Sequence, residues 1–365
     1  MRFLLTILLL FGALFASNYK VVVDKNLILG KDFIVNLKLL EEDYKDFASK
    51  GAIVKIRYID NNFKEKEFTF SQNDKDDEAS WPLFYFNNRK VVTNPKNSII
   101  NLVQGVTLID LDNDGFKEII VYGTSSYGGS GFIGKVLIIG KVRDSIKLKA
   151  PIIEAYDNFE ILYFKEQNLI VVSQYIWRSG KEAHYGDKHR YFIDIYEVNN
   201  HYKKIPLMVT KKRYSDEGSS VILQLKRDIL NKYALYKSSK ISNAKKQQII
   251  NFVKEYWQRV ANKDYKFIED VFANRAFYYS KTFSKKMILK DKKRLLKRAK
   301  YIKFKLDRFL VYKINNSYIV EYRKYFKTSK RDGKVVSFMR LKEGLNGFKI
   351  LSEKDLAILY LSTDI

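Results

Sequence analysis

Residues 105–122 read Gly105-Val-Thr-Leu-Ile-Asp-Leu-Asp-Asn-Asp-Gly-Phe-Lys-Glu-Ile-Ile-Val-Tyr122. A short apolar run stands on each side of an acidic segment that contains a glycine. Apolar runs of this length, bounded by turn residues, are typical of β-strands. The stretch therefore predicts a β-loop-β unit within a mainly β N-terminal domain that covers residues 17–236.

The acidic segment has the residue types and the spacing of a calcium-binding loop. Calcium takes roughly six to eight oxygen ligands, and alternating carboxylates around a glycine turn can supply them. The bidentate acid that ends a helix–loop–helix calcium loop is absent, because Val121 stands at that position. The sequence predicts a bound calcium ion between two strands, and the alternative is an acidic turn without metal. The expected ligands are Asp110, Asp112, Asp114, the carbonyl of Phe116 and Glu118.

This loop resembles the calcium loops of FG-GAP and integrin-type propeller blades. The resemblance implies a structural calcium ion and propeller-like hairpins. No clear repeat accompanies the single motif, so an irregular β domain with one propeller-like hairpin is expected.

The first 16 residues contain one arginine, a short apolar run and then small residues. This order is typical of a secretory signal peptide, with cleavage expected after Ala16, and it predicts no transmembrane segment in the mature chain. The sequence contains no cysteine, so no disulfide can stabilise an exported protein. We expect a soluble periplasmic protein that depends on its hydrophobic cores.

The net charge of +26 is concentrated in the C-terminal part. Residues 1–236 carry 34 basic and 29 acidic side chains, whereas residues 237–365 carry 33 basic and 12 acidic ones. Outside the cytoplasm such a surface favours anionic envelope components such as peptidoglycan carboxylates, and the export signal argues against nucleic acid. A solvated lysine-rich surface without a partner is the alternative.

The composition changes near residue 236. Residues 237–244 predict a polar linker in which Ser242 caps a helix. Apolar residues at helical spacing then predict an amphipathic helix, followed by helices at 264–272 and 286–300 and by a turn at 277–283. Strands are expected at 302–314, 318–327, 335–341 and 347–351. This order predicts an α+β cone over residues 245–365.

The second half carries a family resemblance. Its residues are Trp257, Lys263-Asp264, Tyr278-Tyr-Ser and Phe283, then Val320-Glu-Tyr-Arg-Lys-Tyr-Phe-Lys-Thr-Ser with Asp332-Gly-Lys, then Phe348-Lys-Ile-Leu-Ser-Glu. These segments resemble a nuclear transport factor 2-like domain, and more narrowly the C-terminal domain of periplasmic L,D-carboxypeptidases that set cell shape. The catalytic domain of those enzymes uses a cysteine nucleophile, which this chain lacks. The resemblance therefore implies an accessory module that binds or positions peptidoglycan or a peptidoglycan-modifying partner.

Two functions follow from the sequence. The first is a non-enzymatic envelope protein without catalytic residues. The second is a periplasmic hydrolase or isomerase that uses the cone pocket or a hydrophilic loop containing His184 and His189. The candidate binding residues of the second half are Lys292, Lys293, Arg294, Lys297, Arg298, Tyr301, Asp307, Glu321 and Tyr325.

Overall fold

The first four strands of the computed structural model are β1 (Tyr19–Gly30), β2 (Phe33–Glu42), β3 (Ala52–Ile59) and β4 (Glu65–Ser71). They pair in chain order as an antiparallel sheet. Buried and less buried residues alternate along β3, because successive side chains of a strand point to opposite faces. Its buried residues Val54 and Ile56 join a core that the second sheet completes.

The structure describes part of the chain. Among the described residues, no helix has the length and apolar character needed to cross a bilayer. The predicted signal peptide 1–16 and His184 lie outside the described part. The described residues are 19–31, 33–42, 52–71, 91–93, 105–126, 132–155, 158–165, 167–176, 187–198, 202–215, 219–330 and 332–360.

The second sheet contains β5 (Val91–Thr93), β6 (Val106–Ile109), β7 (Glu118–Ser126), β8 (Phe132–Val142), β9 (Ser145–Leu148) and β10 (Ile153–Ala155). Its order is β10-β8-β7-β6-β5, and β9 pairs with β8. Ile119 and Val121 pack in the core shared with the first sheet, whereas Ile120 and Tyr122 pack in a separate core. Burial on both faces explains why β7 begins as a continuous apolar run.

The third sheet contains β11 (Asn158–Phe164), β12 (Gln167–Ile176), β13 (Arg190–Val198) and β14 (Tyr202–Val209), paired in that order. The chain divides into a first unit, Met1–Val172 with Tyr196–Lys203, and a second unit, Ser173–Ile195 with Lys204–Ile365. The predicted boundary at residue 236 stays a prediction. A propeller arrangement is not seen among the described strands.

The second unit continues with the helices α1 (Val221–Gln224), α2 (Lys226–Ser238), α3 (Asn243–Ala261), α4 (Tyr265–Val271) and α5 (Lys285–Lys297). Its remaining strands are β15 (Phe272–Tyr278), β16 (Lys281–Ser284), β17 (Ile302–Ile314), β18 (Ser317–Thr328), β19 (Asp332–Gly344) and β20 (Gly347–Tyr360). These strands form a sheet in the order β16-β15-β20-β19-β18-β17. Only the β15–β20 pairing is parallel within this sheet. The architecture is of the predicted α+β class.

Helix α3 supplies much of the core of the second unit. It begins after Ser242, whose hydroxyl oxygen accepts the backbone N–H of Lys245 at 3.2 Å, so the predicted N-cap is confirmed. The buried residues recur at helical spacing and pack against strand residues such as Val320 and Met339. They are Ile249, Val253, Tyr256, Trp257 and Val260.

Several predicted bounds change in the structure. The strand at 302–314 is confirmed, and Asn315 and Asn316 form the turn that follows it. The predicted turn at 277–283 contains the two-residue turn, Tyr279 and Ser280, that joins the antiparallel strands β15 and β16. The predicted linker is shorter, because α2 extends through Ser238 and α3 starts at Asn243.

Candidate functional site

The acidic loop joins β6 to β7 and curls around the carboxylate of Asp110. This carboxylate accepts the backbone N–H groups of Asp114 at 3.2 Å and Gly115 at 3.0 Å. Gly115 has a φ of +86°, in the left-handed region that glycine adopts without steric strain. The carbonyl of Asp110 accepts a hydrogen bond from the Asn168 side chain at 2.8 Å. The loop is therefore held by its own backbone and by the strand that contains Asn168.

Lys149 places its ammonium group among the loop carboxylates. Its Nζ lies 2.6 Å from Glu118 Oε1 and 2.9 Å from Asp112 Oδ2. The distance to Asp114 Oδ2 is longer, at 3.7 Å. The side chains of Lys149, Asp112 and Glu118 are 6%, 5% and 0% exposed, whereas that of Asp114 is 42% exposed. The two buried acids are thus the ones in direct contact with the ammonium.

Burial and the ion pairs have opposing effects on the pKa values of this cluster. Burial raises the pKa of Glu118 to about 7, against the opposing effect of the hydrogen bond from Lys149 and of that from the Leu111 N–H at 2.7 Å. Burial alone would lower the pKa of Lys149, but the hydrogen bonds and charges of Glu118 and Asp112 raise it above the usual value. Lys149 is therefore a cation at neutral pH. Within the described residues, the buried Asp112 Oδ1 has no hydrogen-bond donor.

The residues that the sequence predicts as calcium ligands come together in part. One oxygen each from Asp110, Asp112 and Glu118 lies within 4.8 Å of the others, as a small oxygen-only site requires. Asp114 instead directs Oδ1 to the N–H of Phe116 at 2.8 Å. The Phe116 ring packs edge-on against Phe33, with 6.1 Å between the ring centroids. The donor set suits a hard cation, and calcium at this loop stays a prediction.

Gly140 in β8 gives Lys149 the space to reach the loop. A Cβ at this position would lie 2.7 Å from Lys149 Cδ and 3.1 Å from Glu118 Oε1. We expect Gly140→Ala to lower the free energy of unfolding by about 1–3 kcal/mol, because the lysine must shift away from both carboxylates. Urea denaturation measures this loss. The control is Gly344→Ala, where the nearest atom to the new Cβ is 3.6 Å away. Equal stability of the two variants would contradict the expectation.

A second polar cluster lies inside the second unit and centres on Glu353. Glu353 Oε2 accepts the Tyr256 hydroxyl at 2.5 Å, and Oε1 lies 2.8 Å from Lys292 Nζ. Glu353 is 1% exposed and Lys292 is 5% exposed. A buried ion pair is strongly destabilised when one partner is removed, so the two groups depend on each other.

Aromatic rings enclose the ammonium of Lys292. Its Nζ lies 5.2–5.9 Å from four ring centroids, a distance at which the ring faces attract a cation. The rings belong to Tyr256, Trp257, Phe272 and Tyr278. Lys292 was predicted among the binding residues of a basic helix, but the structure places it in the interior. The signal was present in the sequence, since Lys292 stands four residues after Ile288 and four before Leu296 on the apolar stripe of α5.

A buried lysine, Lys324, extends this interior cluster. Its Nζ lies 4.0 Å above the Trp257 ring and 3.3 Å from Asp355 Oδ1. The Ser337 hydroxyl donates to the same carboxylate at 2.6 Å, and Trp257 Nε1 donates to the Tyr322 hydroxyl at 2.6 Å. Burial lowers the pKa of Lys324 against the attraction of Asp355.

The interior tyrosines act as hydrogen-bonding groups and not as acids at neutral pH. Burial, followed by the charge of Glu353, raises the pKa values of Tyr256, Tyr278 and Tyr322. The tyrosines keep their protons, and the Tyr256 hydroxyl donates a hydrogen bond to Glu353. A surface pocket of about 500 Å³ borders Tyr278 and Asp291, and another of about 700 Å³ borders Phe252 and Phe348. Neither pocket is lined by Glu353 or Lys292.

The carboxylates predicted as acid–base candidates are engaged in ion pairs. Asp307 receives two hydrogen bonds of 2.5 Å from Arg323. Glu321 lies 2.5 Å from Lys232 Nζ and accepts the Tyr312 hydroxyl at 2.9 Å. The predicted Tyr325 lies with its ring 5.0 Å from the Arg323 guanidinium. These residues form a local charge-paired group on β17 and β18.

The other predicted binding residues lie at the surface. Lys293 and Tyr301 are exposed, and the exposed Arg294 pairs with Asp291 at 2.6 Å. Lys297 and Arg298 begin a group of exposed cations that runs from the end of α5 into β17 and the facing end of β18, which we call the basic edge. Its members are Lys297, Arg298, Lys300, Lys303, Lys305, Lys327 and Lys330.

The positive charge of the basic edge is only weakly neutralised by acidic residues of the protein. Lys303 and Lys327 stand opposite each other in register on β17 and β18. Asp332 stands opposite Lys327 on the other side. The backbone N–H of Lys300 donates to Ser329 Oγ at 3.1 Å and ties the two ends together. Among the described residues, no member of the basic edge forms an ion pair with a carboxylate.

Of the two histidines proposed for an alternative site, only His189 is among the described residues. His189 is fully buried, which differs from the hydrophilic loop expected from the sequence. Its backbone pairs with Tyr214 through hydrogen bonds of 2.9 and 2.7 Å. Its ring centroid lies 4.7 Å from that of Tyr175. His189 is thus part of a packed strand region.

No family model and no curated protein matches the chain. Nuclear transport factor 2-like proteins of known structure match part of it. A member from Streptomyces avermitilis is 12% identical with a TM-score of 0.28, covering 32% of this chain and 96% of its own. A protein of unknown function from Pseudomonas putida is 13% identical with a TM-score of 0.28, covering 34% and 90%. The Bd1075 protein of Bdellovibrio bacteriovorus is 14% identical with a TM-score of 0.29, covering 60% and 88%.

These matches show no activity for this chain. Its fold is defined by the strands and helices given above. The finer resemblances to L,D-carboxypeptidases and to FG-GAP loops find no support in these matches.

Proposed function

We propose that this protein is a non-enzymatic periplasmic protein of the cell envelope, whose second unit docks on an anionic envelope polymer, with peptidoglycan as the favoured partner. The observation that carries the proposal is the in-register pair Lys303 and Lys327 on the solvent face of β17 and β18. Like charges placed directly opposite each other destabilise a sheet. An anionic partner would remove this repulsion.

The rest of the basic edge supports the same function. Each lysine or arginine near an anionic surface contributes about 1 kcal/mol of attraction at moderate ionic strength. Seven such side chains on one continuous stretch can add to a stable but salt-sensitive association. Peptidoglycan offers closely spaced carboxylates. The acidic face of a peptidoglycan-modifying enzyme would offer the same groups and is the second candidate partner.

The hydrolase or isomerase alternative needs a free acid or base beside a cavity. Asp307 and Glu321 are paired with Arg323 and Lys232, and Glu353 does not line either large pocket. These observations favour docking over catalysis. If the protein turned over muropeptides and Glu321→Ala abolished this turnover with the fold retained, the enzyme would be favoured instead.

Co-sedimentation with purified peptidoglycan sacculi tests the docking proposal. We expect full-length protein to pellet at low salt and to be released at high salt. Neutralising four members of the basic edge as Lys297→Gln, Arg298→Gln, Lys303→Gln and Lys327→Gln should weaken binding about tenfold or more, because several attractive charges are lost together.

The matched control neutralises four exposed lysines of the first unit. They are Lys20, Lys25, Lys64 and Lys66, each changed to glutamine. This variant has the same net charge as the first and should still pellet. An equal loss in both variants would mean that total charge, and not the basic edge, governs binding. If the wild type never pellets, the peptidoglycan proposal is wrong.

A further inference from the structure

We infer that the acidic loop carries its own cation: the ammonium of Lys149 holds the position that a calcium ion would take. Its Nζ lies 2.6 Å from Glu118 Oε1 and 2.9 Å from Asp112 Oδ2, so it contacts two of the expected ligands at once. These are the two buried carboxylates of the loop.

The two cations exclude each other. Calcium binds oxygen at about 2.3–2.6 Å, nearly the distance at which the ammonium already lies. A calcium ion bound to Asp112 and Glu118 would therefore overlap Lys149 Nζ, and two positive charges would share one site. The loop keeps the ligand spacing of a metal site, but the positive charge comes from Lys149 and not from a metal ion.

The surroundings of Lys149 are built for this contact. Gly140 lacks the Cβ that would lie 2.7 Å from Lys149 Cδ. The Lys149 backbone N–H donates to the carbonyl of Ile138 in β8 at 2.8 Å, which fixes the start of the side chain. The lysine thus reaches the loop from a fixed backbone position.

The loop retains the oxygen ligands of a divalent-cation site, which the ammonium blocks. Asp112 Oδ1 is buried and has no donor among the described residues, so it is available as a ligand. The carboxylates of Asp110, Asp112 and Glu118 together form the oxygen set that a hard cation prefers. Removing the lysine charge should therefore create a calcium requirement that the wild type lacks.

Thermal unfolding of the full chain in EDTA and in millimolar calcium chloride tests this inference. We expect the midpoint of the wild type to change by less than about 1 °C, since the Lys149 ammonium occupies the loop site. Lys149→Met keeps most of the side-chain volume without the charge. Its midpoint should fall in EDTA and rise by about 5–10 °C in calcium, with calcium binding seen by calorimetric titration.

Lys147→Met is the matched control, because Lys147 is an exposed lysine two residues away on β9. It should behave as the wild type does. Lys149→Gln provides a second test with a different neutral side chain. Stabilisation of the wild type by calcium overturns the inference. So does the absence of a calcium response in both Lys149 variants, whether they fold or stay unfolded.

Discussion

Glu353→Ala should lower the free energy of unfolding of the second unit by about 3–5 kcal/mol, because it leaves the Lys292 ammonium buried without a counter-charge. The loss has two sources. Lys292 Nζ loses its only carboxylate among the described residues, at 2.8 Å, and the Tyr256 hydroxyl loses its acceptor at 2.5 Å. Urea denaturation, followed by the fluorescence of Trp257 and by circular dichroism, measures the change.

The double variant Glu353→Ala with Lys292→Met should recover most of this loss, since neither charge is then buried. The surface pair Lys245 and Glu343, at 2.6 Å, is the matched control. Glu343→Ala should change stability far less, because solvent screens that pair. A Glu353→Ala variant as stable as Glu343→Ala would show that the interior pair is not coupled to the fold.

Local patterns allowed a large part of the second unit to be predicted. Helix α3 follows from apolar residues at helical spacing after Ser242, and β17 follows from its alternation before Asn315. These signals lie within a few residues of one another, so neighbouring side chains decide the structure. For β15, the sequence indicated the following turn but not the strand itself, which joins the sheet by a parallel pairing with β20, distant in sequence.

The polar clusters depend on contacts that no local pattern encodes. Lys149 and Glu118 are separated by 31 residues, Lys292 and Glu353 by 61, and Tyr256 and Glu353 by 97. The acidic loop was recognised from its spacing, whereas its cation was not, because a lysine after a short strand has no distinctive context. Lys292 is the exception, since its place on the apolar stripe of α5 indicates burial.

The alternation along β17 also separates the basic edge from the interior. Lys303 and Lys305 alternate with the partly buried Phe304, so the strand pattern alone places them on the solvent face. Their repulsion becomes visible only when the register pairs Lys303 with Lys327. Composition predicted a basic domain, and the strand register shows where two of its cations face each other.

Trp257→Ala should lower the free energy of unfolding of the second unit by about 3–5 kcal/mol, as loss of a buried aromatic side chain does. Trp257 is 4% exposed and lies 4.7 Å, centroid to centroid, from Phe304. The variant also removes the N–H that donates to Tyr322 at 2.6 Å and the ring beneath the Lys324 ammonium. Denaturation monitored by circular dichroism measures the loss without relying on tryptophan fluorescence.

Intermediate variants separate these contributions. Trp257→Phe keeps an aromatic ring but loses the hydrogen bond, so it should destabilise less than Trp257→Ala. Combining Trp257→Ala with Lys324→Met in a double-mutant cycle isolates the attraction between the ring and the ammonium, which is about 2 kcal/mol for a desolvated pair. Tyr301→Ala, at a residue 45% exposed, is the control and should have little effect. If Trp257→Ala matched it, the interior network would not stabilise the fold. Because Trp257 packs on the buried side of β17 against Phe304, whereas Lys303 and Lys327 are exposed, Trp257→Phe should leave sacculus binding intact and so separate stability from docking.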